Sequence, residues 1–148
     1  MIPASCYRSR TPVESIGKFK KVENFIRNRN DVSSTIWYKE LLDELERRGV
    51  AGHKKRRMGT VDEIDKFFQS YVFDLVDSMS QSGYCLEKGA DIGTVLINRD
   101  GKLDKAGSGD HRFYVARVLG LQRFPVCVVG VHHDWWRAKG KLCCIQLG

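Results

Sequence analysis

Apolar residues recur along this chain with a helical period in its first half and with shorter, strand-like runs in its second. Residues 10–16 read as a short extended segment with Val13 and Ile16 apolar, and Pro12 places it at a strand start or sheet edge, so it is expected to be the first strand. Phe19, Val22, Phe25 and Ile26 then mark a short amphipathic helix that ends at the polar turn Asn28-Arg29-Asn30-Asp31. Its basic face reads as solvated. Ser33 or Ser34 is expected to cap a second helix, whose apolar face is Trp37, Tyr38, Leu41, Leu42 and Leu45 and whose stop is Gly49. Asp43 with Arg47 and Glu44 with Arg48 are favourable i,i+4 pairs on its other face. Thr60-Val61-Asp62-Glu63 has the pattern of a capping box, and the apolar spacing behind it, from Val61 to Met79, predicts a long helix ending at Ser82-Gly83.

The strand signals follow. Thr94-Val95-Leu96-Ile97 leads into Asn98-Arg99-Asp100-Gly101-Lys102-Leu103, where the Asp-Gly pair predicts a type I′ hairpin and a second short strand. Residues 113–119 are predicted helical, with Gly120-Leu121 as a C-terminal cap. Pro125 introduces the apolar run 126–131, expected to be a strand covered on both faces with Cys127 buried and inert. His132-His133-Asp134-Trp135-Trp136 forms a polar-aromatic patch at the strand end, and residues 142–147 are a candidate edge strand. The expected class is α/β in the α+β sense: a small mixed sheet packed with helices in one domain spanning 1–148.

Composition supports one domain with a true core, since 42% of 148 residues are apolar. No stretch resembles a signal peptide and no apolar run reaches the ~20 residues of a membrane span, so a soluble, cytoplasmic protein without a membrane partner is expected. Five cysteines without C-x-x-C spacing argue for reduced thiols rather than disulfides or structural zinc. The net charge of +7 is uneven: residues 1–59 carry 14 Lys/Arg against 7 Asp/Glu, whereas residues 60–148 carry 11 of each. Lys54, Lys55, Arg56 and Arg57, after His53, are the densest basic block and read as a loop between two helices. That loop is either simply solvated or a contact to the phosphate backbone of DNA.

The chemistry concentrates in Gly107-Ser108-Gly109-Asp110-His111-Arg112. Glycines let backbone approach a ligand closely, and a helix N-terminus offers free N–H groups to an anion. Gly107, Ser108, Gly109, His111 and Arg112 are the candidate phosphate-binding residues. Asp110 either caps the helix or helps to hold Mg²⁺, and His111 either donates to a phosphate or carries a proton near neutral pH. Ser108, Asp110 and His111 do not make a hydrolase triad, because neighbouring side chains diverge. His132, His133 and Asp134 are weak metal candidates, because adjacent strand residues point to opposite faces.

Residues 71–129 resemble the ParB/sulfiredoxin superfamily: a helix ending at Ser82-Gly83, a strand, a D-G hairpin, Gly109-Asp110-His111-Arg112 as the Gly-x-x-Arg turn, then Ala116, Leu119-Gly120 and Pro125-Val126. Residues 10–16 resemble that family's first strand, and 17–59 would be a helical insertion. The resemblance implies a nucleoside triphosphate, ATP or CTP, with Mg²⁺, bound at the 107–112 turn and open to hydrolysis or phosphoryl transfer. It makes Asp110 and His111 candidate catalytic groups and Glu14, on the family-like strand, a candidate base or else an exposed strand carboxylate. Sulfiredoxins carry a cysteine where this chain has Asp110, so sulfiredoxin activity is not expected. ParB proteins read operators through a following helix-turn-helix, for which the chain after residue 131 leaves little room. The alternatives are non-specific DNA binding or weak nuclease activity through the basic first half, and a non-catalytic interaction module.

Overall fold

The computed structural model describes residues 13–85, 92–107 and 109–139. The expected first strand is absent where it can be seen: Val13–Ser15 is a single 3₁₀ turn, while residues 10–12 lie outside the described residues. The Ile16 amide donates to the Val13 carbonyl at 3.1 Å, and Val13 drops into the core, so this segment satisfies its backbone locally rather than beside a sheet. Helix α1 (Gly17–Arg27) buries Phe19, Val22 and Phe25 as its spacing predicts. Helix α2 (Ile36–Arg48) buries Trp37, Tyr38 and Leu41, carries the Asp43–Arg47 and Glu44–Arg48 pairs, and stops at Gly49 with φ 70. Its cap is Thr35, whose hydroxyl accepts from the Tyr38 amide at 3.3 Å. Ser33 and Ser34 instead sit in the preceding 3₁₀ turn, and their hydroxyls donate back to Asp31.

The basic block is not a loop. Ala51–His53 (β1) and Arg56–Met58 (β2) form an antiparallel hairpin whose two-residue turn is Lys54-Lys55, with Lys54 at φ 53. Ala51 and Met58 pair across it and are both buried, which anchors its open end to α2 and leaves the cationic tip outside.

Val61–Phe67 (α3), a π-helical segment Phe68–Phe73 and Asp74–Ser82 (α4) run as one continuous helical stretch. Thr60 accepts from the Glu63 amide and Glu63 accepts from the Gly59 amide, the reciprocal arrangement of a capping box shifted by one residue. Ile64, Phe68, Val72 and Val76 are all buried and lie four residues apart. Four-residue steps overrun an α-helical face by about 40° each, and the wider π turn takes that excess back.

The sheet order is β4-β3-β5, with β3 (Gly93–Ile97) antiparallel to β4 (Leu103–Lys105) and parallel to β5 (Val126–Val131). Helix α5 (Asp110–Val118) connects β4 to β5, packs on α1 and buries Phe113, Tyr114, Val115 and Ala116. The β3–β4 turn is not type I′, since only Gly101, φ 83, is left-handed. Asn98 organises it instead, its side-chain oxygen accepting from the Asp100 and Lys102 amides. Strand β5, an edge strand among the described residues, is exposed along Cys127, Val128 and Val129 rather than covered on both faces, since β3 is the one described element that packs extensively against it. The candidate strand at 142–147 lies outside the described residues. Helix α6 (His133–Lys139) begins where a strand-end patch was expected, with His132 buried and its Nδ1 accepting from the Asp134 amide. The class is α+β, and one buried cluster runs from Val13 to Ala116, so α1, α2 and the basic hairpin share their core with α5 and β3. No helix among the described residues is long and apolar enough to cross a membrane.

Candidate functional site

The glycines of the 107–112 turn have a structural use. Gly109 is the N-cap of α5 at φ 74, and a Cβ there would lie 2.5 Å from the Ile92 carbonyl oxygen; one on Gly107 would lie 2.9 Å from Thr94 Oγ1. Both residues let the turn approach the start of β3 closely. Ser108 lies outside the described residues.

Asp110 does not cap the helix, being its first residue, one position too late to reach back over the free amides. Its carboxylate is instead held from two sides. Lys105 Nζ, on a side chain only 4% exposed, lies 3.0 Å from Oδ1, and Lys18 Nζ lies 3.1 Å from Oδ2. Lys105 also donates to the Gly107 carbonyl at 2.5 Å and to the Thr94 carbonyl at 3.3 Å, which ties β4, the turn and β3 together. Burial by itself would raise the Asp110 carboxyl, but hydrogen bonds from Lys105 and Lys18 outweigh it and hold the group below the usual carboxylate range. With both oxygens on ammonium groups, Asp110 does not fit Mg²⁺ and is not available as a general base.

His111, the next residue, stacks on Trp37 with ring centroids 5.3 Å apart and planes 17° apart. The ring of His53, from the hairpin, meets it edge-on at 4.8 Å and also packs against Phe67 at 4.9 Å. His53 Nε2 and His111 Nδ1 are buried without a hydrogen-bond partner among the described residues. Burial lowers both imidazoles to about 4, reinforced at His53 by the charge of His111 and at His111 by that of Lys54. Both rings are therefore neutral at pH 7, and His111 is not a proton carrier in the neutral range.

Two clefts flank this histidine pair. The smaller, about 410 Å³, is lined by Lys18, Lys21, Lys54, Trp37, His53 and the 109–111 backbone turn. The larger, about 1170 Å³, lies between the hairpin and the helical stretch, lined by Lys54, Lys55 and Arg56 of the former, Ser70, Tyr71, Asp74 and Ser78 of the latter, and Arg112 of α5. Lys54 and His53 belong to both. The structure thus joins the basic block and the glycine turn, which are far apart in sequence, into one basic region. It separates Arg112 from the turn it was grouped with: Arg112 lines only the larger cleft, its guanidinium 5.8 Å from the Tyr84 ring centroid. Arg57 lines neither cleft, and Glu14 is bound to Arg117 at 2.5 Å, near the other end of α5. Its own backbone and Arg117 hold the Glu14 carboxyl low, which removes it as a base for this site.

Lys18, Lys21, Lys105, His53 and Trp37 are the participants that sequence reasoning left out of the site. A faint signal existed for two of them, since Lys18 and Lys21 are three residues apart and share a face of α1. Compared with family models, curated proteins and solved structures, the chain matches none.

Proposed function

We propose that the protein binds the phosphates of a nucleoside triphosphate, ATP or CTP in first place, in the smaller cleft at the start of α5. The observation that carries this reading is the gathering of Lys18, Lys21 and Lys54 from two separate elements around the first turn of a nine-residue helix. Amides of that turn and the helix dipole favour an anion, and three ammonium groups add charge at the same place. Asp110, the one carboxylate in the lining among the described residues, is balanced by the buried Lys105 ammonium, so Lys18, which also touches it, still leaves the cleft with an excess of positive charge. Lys21 is paired with Glu40, so a bound phosphate competes with a surface ion pair of small value. The resemblance of residues 71–129 to the ParB/sulfiredoxin superfamily supports the same ligand class.

Binding is the part of the expectation that the residues support. Among the described residues no candidate is placed for hydrolysis or phosphoryl transfer, because Asp110 is engaged, Glu14 is tied to Arg117 near the far end of α5 and both histidines are neutral and poor bases. A thermal-shift series with ATP, CTP, GTP and inorganic triphosphate tests the reading. At a ligand concentration of about 100 Kd the expected rise in Tm is about 5–10 °C, and it is lost in the Lys21→Gln/Lys54→Gln variant. If none of the four ligands raises Tm, or the variant responds like wild type, the reading fails and a ligand-free interaction module takes its place.

A further inference from the structure

We infer that the two clefts are one groove and that its occupant is a short segment of single-stranded nucleic acid, with one phosphate at the start of α5 and the next nucleotides along the α4 side of the hairpin. This rests on the phosphate reading of the smaller cleft and extends it to a ligand class. The clefts meet at His53 and Lys54, which line both. The larger one, about 1170 Å³, exceeds the ~300–1,000 Å³ typical of small-molecule pockets, so a mononucleotide seated at α5 leaves most of the groove unused.

Charge runs the length of the groove. Lys18, Lys21, Lys54, Lys55, Arg56 and Arg112 face it, against Asp74, Asp77 and Asp110. Asp110 is neutralised by Lys105 and Lys18, and Asp77 is bound to Arg29 at 2.7 Å. What is left is a cationic track of the kind that follows a sugar-phosphate backbone. The groove also offers a surface for bases. The exposed Arg56 guanidinium lies against two rings at once, 5.1 Å from the Tyr71 centroid and 5.9 Å from that of Phe67, so a cation–π cluster on the groove wall holds it in place beside a passing base. Ser70 and Ser78 on the opposite wall supply hydroxyls without demanding a particular base. Burial favours a strand that can conform to the groove, since Lys21 and Arg112 are half-buried whereas Lys54, Lys55 and Arg56 are exposed. A flexible strand reaches them, whereas a stiff duplex meets only the exposed tip. The DNA contact expected from Lys54, Lys55, Arg56 and Arg57 is thereby narrowed to three of those residues and to a single strand.

Fluorescence anisotropy on the full chain with labelled dT12, rU12 and a 12-base-pair duplex, at low and moderate salt, tests this. At least one single strand should bind about tenfold more tightly than the duplex, with steep salt dependence, and should be displaced by inorganic triphosphate. The ratio of dT12 to rU12 then tells which nucleic acid is preferred. Lys55→Gln/Arg56→Gln should weaken strand binding about tenfold while the triphosphate thermal shift persists, which also shows that the variant is folded. Duplex binding equal to or tighter than both single strands overturns the inference, as does strand binding that the variant leaves unchanged. Triphosphate stabilisation with no strand binding defeats this inference alone; absence of both defeats the phosphate reading as well.

Discussion

Asp110 and His111 are neighbours on the first turn of α5, yet they sit in opposite physical situations. Asp110 carries a charge into a partly buried place and has both oxygens engaged by Lys105 and Lys18. His111 is flanked by Trp37 and His53, is neutral, and keeps a ring nitrogen buried without a partner among the described residues. A charge removed from water must find partners or neutralise, and here one residue does each. The Asp110 side is therefore the structural half of the turn, locking it to β3 and β4. On the His111 side the two imidazoles pack against Trp37 and Phe67 and carry no charge, so the positive charge of that cleft comes from the adjoining lysines.

Several changes would break or sharpen that contrast. The largest effect is expected at Gly109→Ala, where a left-handed backbone and a Cβ 2.5 Å from the Ile92 carbonyl combine; the loss should be about 4 kcal/mol in urea unfolding. A value below about 1 kcal/mol would mean that the turn yields easily and is not locked. Lys105→Met leaves Asp110 without its inner partner and should cost about 3 kcal/mol. Near-neutral behaviour there would place the Asp110 side on the same footing as the His111 side.

Acidification should act on the histidines first. With imidazoles lowered from 6.5 to about 4 in the fold, the unfolded chain takes up protons that the native one refuses. The stability they support is fully present above pH 6.5 and declines as pH falls from 6.5 towards 4, a window above the one in which Asp110 protonates. Discounted for partial solvent access, the drop is on the order of 2 kcal/mol for the pair. His53→Phe/His111→Phe should flatten that pH dependence in chemical denaturation at pH 7 and pH 5. An equally steep decline in the double variant would assign the acid sensitivity to other groups. At pH 7 the same double change should move stability by less than about 1 kcal/mol, since it removes two buried nitrogens, His53 Nε2 and His111 Nδ1, that make no bond among the described residues. Lys18→Ala should matter least, by at most about 0.5 kcal/mol, because Lys18 is 68% exposed.

The chain by itself determined what short windows encode. The spacing of Phe19, Val22 and Phe25 set α1, the Trp37–Tyr38–Leu41 stripe set the buried face of α2, and Thr60 with Glu63 set the start of α3. The class and the succession strand, hairpin, helix, strand along the second half were legible for the same reason, whereas the β4-β3-β5 order in the sheet was not. Where two or three neighbours carry equivalent local signals, the window runs out: Ser33, Ser34 and Thr35 are all hydroxyl caps, and Thr35 holds the role in the fold, fully buried against α1, with the Asn24 side chain accepting from the next amide. Tertiary structure alone decided the rest. Lys18 meets Asp110 across 92 positions, and His53 meets His111 through the docking of a hairpin whose strands are three residues each. No periodicity records such pairs, because they depend on which faces pack together. That packing turned an apparent metal or catalytic carboxylate into a lysine-bound strut, and a proton-carrying histidine into a neutral ring.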